Sequence, residues 1–216
     1  MSISRTAWGI GTPRTWRPLW ALAELGLDYK HEKILPRGSG MDDPKFVALS
    51  QRHKVPFYED DRVQIGESAA IVTYLADRYG DSGLPMPAPG TADRAVLQDR
   101  LFFVMTEMDA RLYTVRLHGE PPSGLSEKYG ASPVAVDAAR KYVSRGLNES
   151  ARWLEDGRTY VSGEHFAIID ILLVSCLEWA SRYGMDLTPA LGDYRERVAS
   201  RPGYKTSKAN NNPSKA

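Results

Sequence analysis

The 216-residue sequence predicts an α/β N-terminal half followed by an all-α half. Three observations carry that prediction. Between residues 5 and 79, short runs of strand formers alternate with apolar residues at helical spacing, in the order β-α-β-α-β-β-α. Residues 81–90, DSGLPMPAPG, gather prolines and glycines and read as a linker. From Thr91 onward the apolar pattern is helical throughout.

The elements follow in order. Residues 5–10 (RTAWGI) suit a first strand, which Gly11-Thr12-Pro13 breaks. A helix runs through Leu19, Trp20, Leu22, Ala23 and Leu25 and stops at Gly26. Pro18 is expected in its first turn, because deeper in a helix proline removes a hydrogen bond and clashes. Leu27 to Leu35 reads as a second strand, Pro36 to Gly40 as a loop, and Asp43-Pro44 as the start of a short helix ending near Ser50. Val55-Pro56-Phe57-Tyr58 is rich in strand formers, and Glu59-Asp60-Asp61 makes a polar turn. Arg62-Val63-Gln64-Ile65 alternates polar and apolar as a half-buried strand does. Gly66 ends that pattern, and Glu67-Ser68 opens a helix carrying Ala70, Ile71, Tyr74 and Leu75 on one face. This is the element order of a thioredoxin-like domain.

In the second half, Thr91 to about His118 forms one long amphipathic helix, with Leu97, Leu101, Val104, Met105, Met108 and Leu112 on its stripe. Pro133 opens another, to about Glu155. Phe166-Ala167-Ile168-Ile169-Asp170-Ile171 begins a buried helix in which Asp170 reaches back to its own unpaired N–H groups. Ala167 stands at the cap, where serine or threonine would add a reciprocal bond of about 1 kcal/mol. A final helix spans Asp193 to Ser200. The expected division is therefore 1–80, a linker at 81–90, a helical domain at 91–205 and a disordered tail at 206–216.

Composition excludes several classes. Twenty-eight basic against 27 acidic residues, a formal charge of +1, give no electrostatic argument for nucleic acid. No apolar run is long enough for a membrane span, and the first residues lack the apolar core of a secretory leader, so a cytoplasmic protein is expected. The single cysteine, Cys176, rules out a disulfide framework and any CxxC motif, and its apolar surroundings mark an inert core thiol. No metal site is expected.

The chemistry lies in residues 53–79. A helix N-terminus carries unpaired N–H groups and partial positive charge, so the start at Glu67-Ser68 attracts a carboxylate. Glu67 suits an ammonium group, so the pair fits an α-amino acid head. Val55, before the strand-opening Pro56, offers backbone groups to an extended chain, and Pro56 is a candidate for a cis bond. Either Glu67 or Ser68 alone would more often be only a cap. Together, the Val-Pro strand followed by Glu-Ser at a helix start resembles the glutathione-binding half of the glutathione transferase family. The buried helix with its capping aspartate, and the ending Arg201-Pro202-Gly203-Tyr204, extend the resemblance over nearly the whole chain.

The resemblance implies that Val55 pairs with the cysteine of glutathione, that Glu67 and Ser68 hold its γ-glutamyl head, and that Pro56 is the cis-proline. Glutathione enters as co-substrate. Its thiol has a pKa of about 8.5, so catalysis must stabilise the thiolate with a hydroxyl or N–H donor after the first strand. Family members use tyrosine, serine or cysteine there. None occupies Ile10 to Arg17, and the serine-type position falls on Thr12. Thr12 is thus the expected donor, with Thr15 as alternative donor or cap and Arg14 adding positive potential. The competing reading leaves Thr12 only shaping the turn. His53 and Lys54 are candidates for the glycine carboxylate of glutathione, with Arg37 and Lys45 weaker. The family's electrophile pocket implicates Trp8, Phe102, Phe103, Met105 and Thr106, although such an aromatic and methionine stripe is more often core. A homodimer is implied. The expected activity is conjugation of glutathione to a small apolar electrophile, a detoxification chemistry. The alternatives are a non-catalytic binder of glutathione or protein, and a glutathione-dependent isomerase or dehalogenase.

Overall fold

The structure, a computed structural model, describes residues 4–80 and 83–215. It divides into two compact units, one of Met1–Met86 with Ala199–Ala216 and one of Pro87–Val198.

The first unit is built on a four-stranded sheet in the order β2-β1-β3-β4, from β1 (Thr6–Trp8), β2 (Lys30–Glu32), β3 (Phe57–Glu59) and β4 (Gln64–Gly66). β1 pairs parallel with β2 and antiparallel with β3, which pairs antiparallel with β4. Around it lie α1 (Pro13–Glu24), α2 (Pro44–Leu49) and α3 (Ser68–Tyr79). Strand residues alternate between faces. Ala7 and Tyr58 are partners on one face, where the Tyr58 ring lies 6.1 Å from that of Tyr74 in α3. Trp8 looks the other way, 5.7 Å from Phe46 of α2.

The first two strands are shorter than expected. Gly9 (φ +109°) and Gly11 (φ +87°) take the chain out of regular extended geometry, although Gly9 N and Ile10 N still donate to Glu32 and Ile34 carbonyls at 2.8 and 3.0 Å. Pro18 is a correction: it lies inside α1, because the helix begins at Pro13 behind the cap Thr12. The polar turn between β3 and β4 is organised by Asp60, whose Oδ1 accepts from Arg62 N and Val63 N at 2.9 and 3.2 Å. The same carboxylate, with a fully buried side chain, accepts from Tyr58 and Tyr74 hydroxyls and from Arg78 at 2.8 Å.

The segment expected as a tail is the second correction. Residues Pro202–Asn210 form a helix, labelled α10 below, that packs on α1. Ser207 is fully buried and accepts from Trp16 Nε1 at 2.9 Å. Tyr204 sets its ring edge-on to Trp16 and Trp20, and Arg201 pairs with Glu24 at 2.6 Å. Aromatic burial and an ion pair hold a stretch whose polar composition suggested fraying. Of the expected linker, residues 81 and 82 lie outside the described residues, as does Ala216 of the tail; Leu84, within the linker, is fully buried.

The second unit holds the remaining helices: α4 (Ala92–Phe103), α5 (Ala110–His118), α6 (Ser126–Tyr129), α7 (Pro133–Arg152), α8 (Ile168–Arg182) and α9 (Pro189–Ala199). The expected single helix 91–118 is continuous, but residues Val104–Asp109 between α4 and α5 widen into a π-turn. α8 is the core, buried at every position from Ile168 to Leu177. Asp170 reaches back to Ala167 N at 2.8 Å, as the sequence implied. Its other oxygen takes Val161 N at 2.9 Å and the Tyr194 hydroxyl at 2.6 Å. Ala167 contributes no side-chain acceptor, and Asp170 instead ties the helix start to α9. Cys176 is fully buried in α8.

Candidate functional site

The site begins where β1 runs out. Thr12 is the cap of α1 with extended backbone (φ −128°, ψ 161°). Its Oγ1 accepts from Thr15 N at 3.0 Å, and Thr15 Oγ1 accepts from Thr12 N at 2.9 Å, a reciprocal capping box. The two hydroxyls are themselves 3.0 Å apart. Asn211, just after α10, closes over this turn: its Oδ1 accepts from Gly11 N and from the Thr15 hydroxyl, both at 2.9 Å, and its Nδ2 donates to the Thr12 carbonyl at 2.9 Å. Arg14 sits half-buried in the first turn of α1.

Gly9 joins this turn to the Val-Pro segment. A Cβ there would lie 2.7 Å from Val55 Cβ and 2.8 Å from Thr15 Cγ2. The absent side chain is what lets Val55 and Thr15 flank the same backbone atom. The Val55–Pro56 peptide is cis. His31, on β2, donates from Nε2 to the Gly9 carbonyl at 3.0 Å. Burial pushes its imidazole below the ordinary histidine range, against a smaller opposing contribution from that hydrogen bond.

The start of α3 is the third part. Glu67 precedes it at φ 64°, ψ 110°, an uncommon conformation for a residue with a side chain. Such strain recurs at ligand-holding positions, which makes it a pointer to function. The Glu67 carboxylate is 67% exposed and meets Arg52 at 3.2 Å. Ser68 is buried, and its Oγ accepts from Arg17 at 3.1 Å. Because Arg17 supplies the donor, the Ser68 hydroxyl proton is directed elsewhere, toward an acceptor such as a carboxylate. Arg17 is fully buried on α1, so the helix start at Ser68 has a cation behind it as well as its own N–H groups.

The first unit thus brings together Thr12, Thr15, Arg14, Val55, Pro56, Glu67 and Ser68 around the ends of β1, α1 and α3. His53 and Lys54 lie exposed immediately before Val55, His53 at φ 48°. Lys54 is tied through its backbone N and carbonyl to Ser50 Oγ, which leaves its side chain to the solvent face. Trp8 contacts Phe46 and donates from Nε1 to Glu59 at 3.3 Å. Phe102, Phe103, Met105 and Thr106 belong to the second unit. Phe102 is 67% exposed, Phe103 meets Trp153 at 5.5 Å, and Thr106 donates to the Phe102 carbonyl at 2.9 Å.

Arg17, His31 and Asn211 escaped the sequence reading. Arg17 had a usable signal, a charge one position from Trp16 on the apolar face of a helix. Asn211 had none, lying in the polar run 210–212.

Two family descriptions match the chain: the N-terminal domain of glutathione S-transferase over residues 11–83, and its C-terminal domain over 105–202. The chain belongs to the glutathione transferase family. It is 22% identical over 204 residues to glutathione S-transferase A of Pleuronectes platessa, covering 93% of this chain and 88% of that protein. It is 26% identical to the disulfide-bond oxidoreductase YfcG of Escherichia coli, covering 88% of each. Among solved structures, a sphingomonad glutathione S-transferase complexed with glutathione superposes with a TM-score of 0.77 at 29% identity, over 94% of this chain and 98% of that one. Among the described residues, no group of three or more histidines, cysteines or acids is placed to hold a metal, and no helix is long and apolar enough to cross a membrane.

Proposed function

We propose that the protein conjugates the thiolate of glutathione to small hydrophobic electrophiles, with Thr12 as the thiolate donor. The observation that carries this reading is the capping turn itself. Thr12 Oγ1 uses one lone pair on Thr15 N and keeps a proton to give. It stands at the N-terminus of α1, where the helix dipole favours an anion. A hydrogen bond to an anion is worth about 1.5–3 kcal/mol, which lowers a thiol pKa by about 1–2 units. That would raise the ionised share of the bound thiol from a few per cent to between about a quarter and three quarters at pH 7.

At the other end of glutathione, the γ-glutamyl carboxylate would meet the Ser68 hydroxyl and the α3 N-terminus. The Glu67 carboxylate would take the ammonium group in place of Arg52. Val55 would align the cysteinyl backbone, and His53 or Lys54 would face the glycine carboxylate. Arg14 would add positive potential beside Thr12. A cytoplasmic homodimer completes the proposal, the exposed Val96 and Phe102 on α4 giving a second copy an apolar surface.

One observation favours a second reading, a member that binds glutathione without transferring it. The Thr12 hydroxyl lies within hydrogen-bond distance of Thr15 Oγ1, where its proton can be spent inside the cap. The one cysteine of the sequence, Cys176, is buried in α8, which argues against a mixed disulfide formed on the protein itself.

The deciding experiment is a glutathione titration that follows thiolate ultraviolet absorbance across pH, in wild type and Thr12→Ala. A thiol pKa lowered in wild type and restored toward the free value in Thr12→Ala supports transfer through Thr12. Binding with an unshifted thiol makes the protein a binder. No binding at all removes Glu67 and Ser68 from their assigned roles.

A further inference from the structure

We propose that Asn211 is a positioning residue for thiol activation: by holding the turn 11–15 it fixes the place and direction of the Thr12 hydroxyl that meets glutathione. The inference rests on the reading of Thr12 as thiolate donor, and its argument is a proton inventory.

Thr15 has one hydroxyl proton and three oxygens within reach: the Thr12 carbonyl at 3.0 Å, Thr12 Oγ1 at 3.0 Å and Asn211 Oδ1 at 2.9 Å. The amide of Asn211 can sit in only one orientation. Its oxygen faces the Gly11 N–H, which can only donate, and its nitrogen faces the Thr12 carbonyl, which can only accept. The Thr12 carbonyl already receives Trp16 N at 3.0 Å in addition to Asn211 Nδ2. That oxygen is saturated, so the Thr15 proton goes to Asn211 Oδ1. Thr15 Oγ1 then acts as an acceptor, from Thr12 N and from the Thr12 hydroxyl. The Thr12 proton therefore rests on a neutral oxygen that has no proton to give back. A thiolate arriving nearby is the stronger acceptor and takes it. Without Asn211 the Thr15 proton returns to the Thr12 carbonyl or to Thr12 Oγ1 and Gly11 N loses its acceptor, so the turn no longer fixes where the Thr12 hydroxyl stands or which way it points.

Asn211 is held for this task rather than draped on the turn. The helix before it is locked to α1 by Trp16 to Ser207, by Glu24 to Arg201 and by Lys208, whose Nζ lies 4.1 Å over the Trp16 ring. On its other side Pro213 packs against Gly11, 3.3 Å from where a Cβ would stand. Rigid support of this kind is what a preorganised donor needs.

The test uses the full-length protein with Asn211→Ala, Asn211→Asp and, in parallel, Thr12→Ala. Three quantities are read: ionisation of bound glutathione by ultraviolet absorbance, affinity for S-methylglutathione, and the thermal midpoint. S-Methylglutathione has no thiol and reports only the rest of the binding site. Asn211→Ala is expected to lower the thiolate-to-thiol ratio near pH 7 about fivefold, the value of one neutral hydrogen bond, while S-methylglutathione affinity stays within about twofold. Asn211→Asp keeps the acceptor for Gly11 and Thr15 but turns an oxygen toward the Thr12 carbonyl, so its thermal midpoint falls as that of Asn211→Ala does, while its negative charge lowers the thiolate fraction further, about tenfold or more. A larger loss of ionisation in Asp than in Ala at a similar thermal midpoint is not expected of a purely structural contact. The inference is overturned if Thr12→Ala shifts the thiol and neither Asn211 variant does. It is also overturned if S-methylglutathione binding falls in step with ionisation. If Thr12→Ala itself leaves the thiol unmoved, the donor assignment fails first and the role of Asn211 goes with it.

Discussion

Gly9→Ala is the sharpest single-residue test of how the first unit is assembled. The perturbation adds one methyl group, 2.7 Å from Val55 Cβ and 2.8 Å from Thr15 Cγ2, where ordinary contact begins at 3.4 Å. Neither neighbour can swing away. Val55 Cβ is fixed to the backbone beside the cis peptide, and the Thr15 side chain is tethered through its hydroxyl to Thr12 and Asn211. Overpacking of this kind costs about 1–3 kcal/mol, and an L-residue at φ +109° adds about 1–3 kcal/mol of backbone strain. The expected loss of stability is therefore about 2–6 kcal/mol, read by urea unfolding. In the molecules that remain folded, Val55 and Thr15 must part, so glutathione affinity should fall by about tenfold or more. The reasoning is refuted if Gly9→Ala loses less than about 1 kcal/mol and binds glutathione as wild type does.

Other consequences are as concrete. Asp60→Asn should cost about 2–4 kcal/mol in urea unfolding, since the carboxylate collects four side chains (Tyr58, Tyr74, Arg78 and Tyr79) and two backbone N–H groups. Burial alone would raise the Asp60 pKa, but hydrogen bonds from Arg62 N, Tyr74, Val63 N and Tyr58 outweigh it and hold the group below the ordinary carboxylate range. Its stabilisation is thus complete well above the unfolded value of about 3.9 and lost as pH falls through the lower folded value, so Asp60→Asn should flatten the acid limb of stability against pH. Asp170→Ala leaves Val161 N, Ala167 N and the buried Tyr194 hydroxyl short of an acceptor, and should cost about 3–5 kcal/mol by the same assay. Arg17→Met removes the cation behind Ser68 and should weaken glutathione binding about tenfold in calorimetry; an unchanged affinity would detach Arg17 from the carboxylate end.

The sequence was most legible where one local rule governs several adjacent residues. Val55-Pro56, the Asp60 turn, the helix start at Glu67-Ser68 and the Asp170 cap are of that kind; the helix starts fall where they were expected, while the strand after Pro56 is shifted to Phe57–Glu59 and takes in Glu59 of the expected turn. Legibility failed where distant segments decide. Pro18 was misplaced because the start of α1 is set by the Thr12–Thr15 box, which hides behind two ordinary threonines. The polar run after Lys205 looked like a tail because its burial depends on Trp16, Trp20 and Tyr204 meeting across most of the chain length. Asn211 is the extreme case: its three bonds reach residues 199 or more positions away in two instances. Arg17 falls between, since its position on an apolar helix face was visible but its partner Ser68 was not.

The unit that carries the candidate site is assembled from two stretches of chain separated by all the helices of the other unit. On the ribosome, β1 to α3 emerge first, yet the capping turn waits without Asn211 and α1 waits without α10 until residues 199–215 are made. The completed turn around Thr12 is then among the last features the nascent chain acquires, arriving only after the helices between have been synthesised. Two fragments cut between the units would for the same reason have to find each other to rebuild the turn around Thr12, and the joining segment would serve as a covalent escort between them.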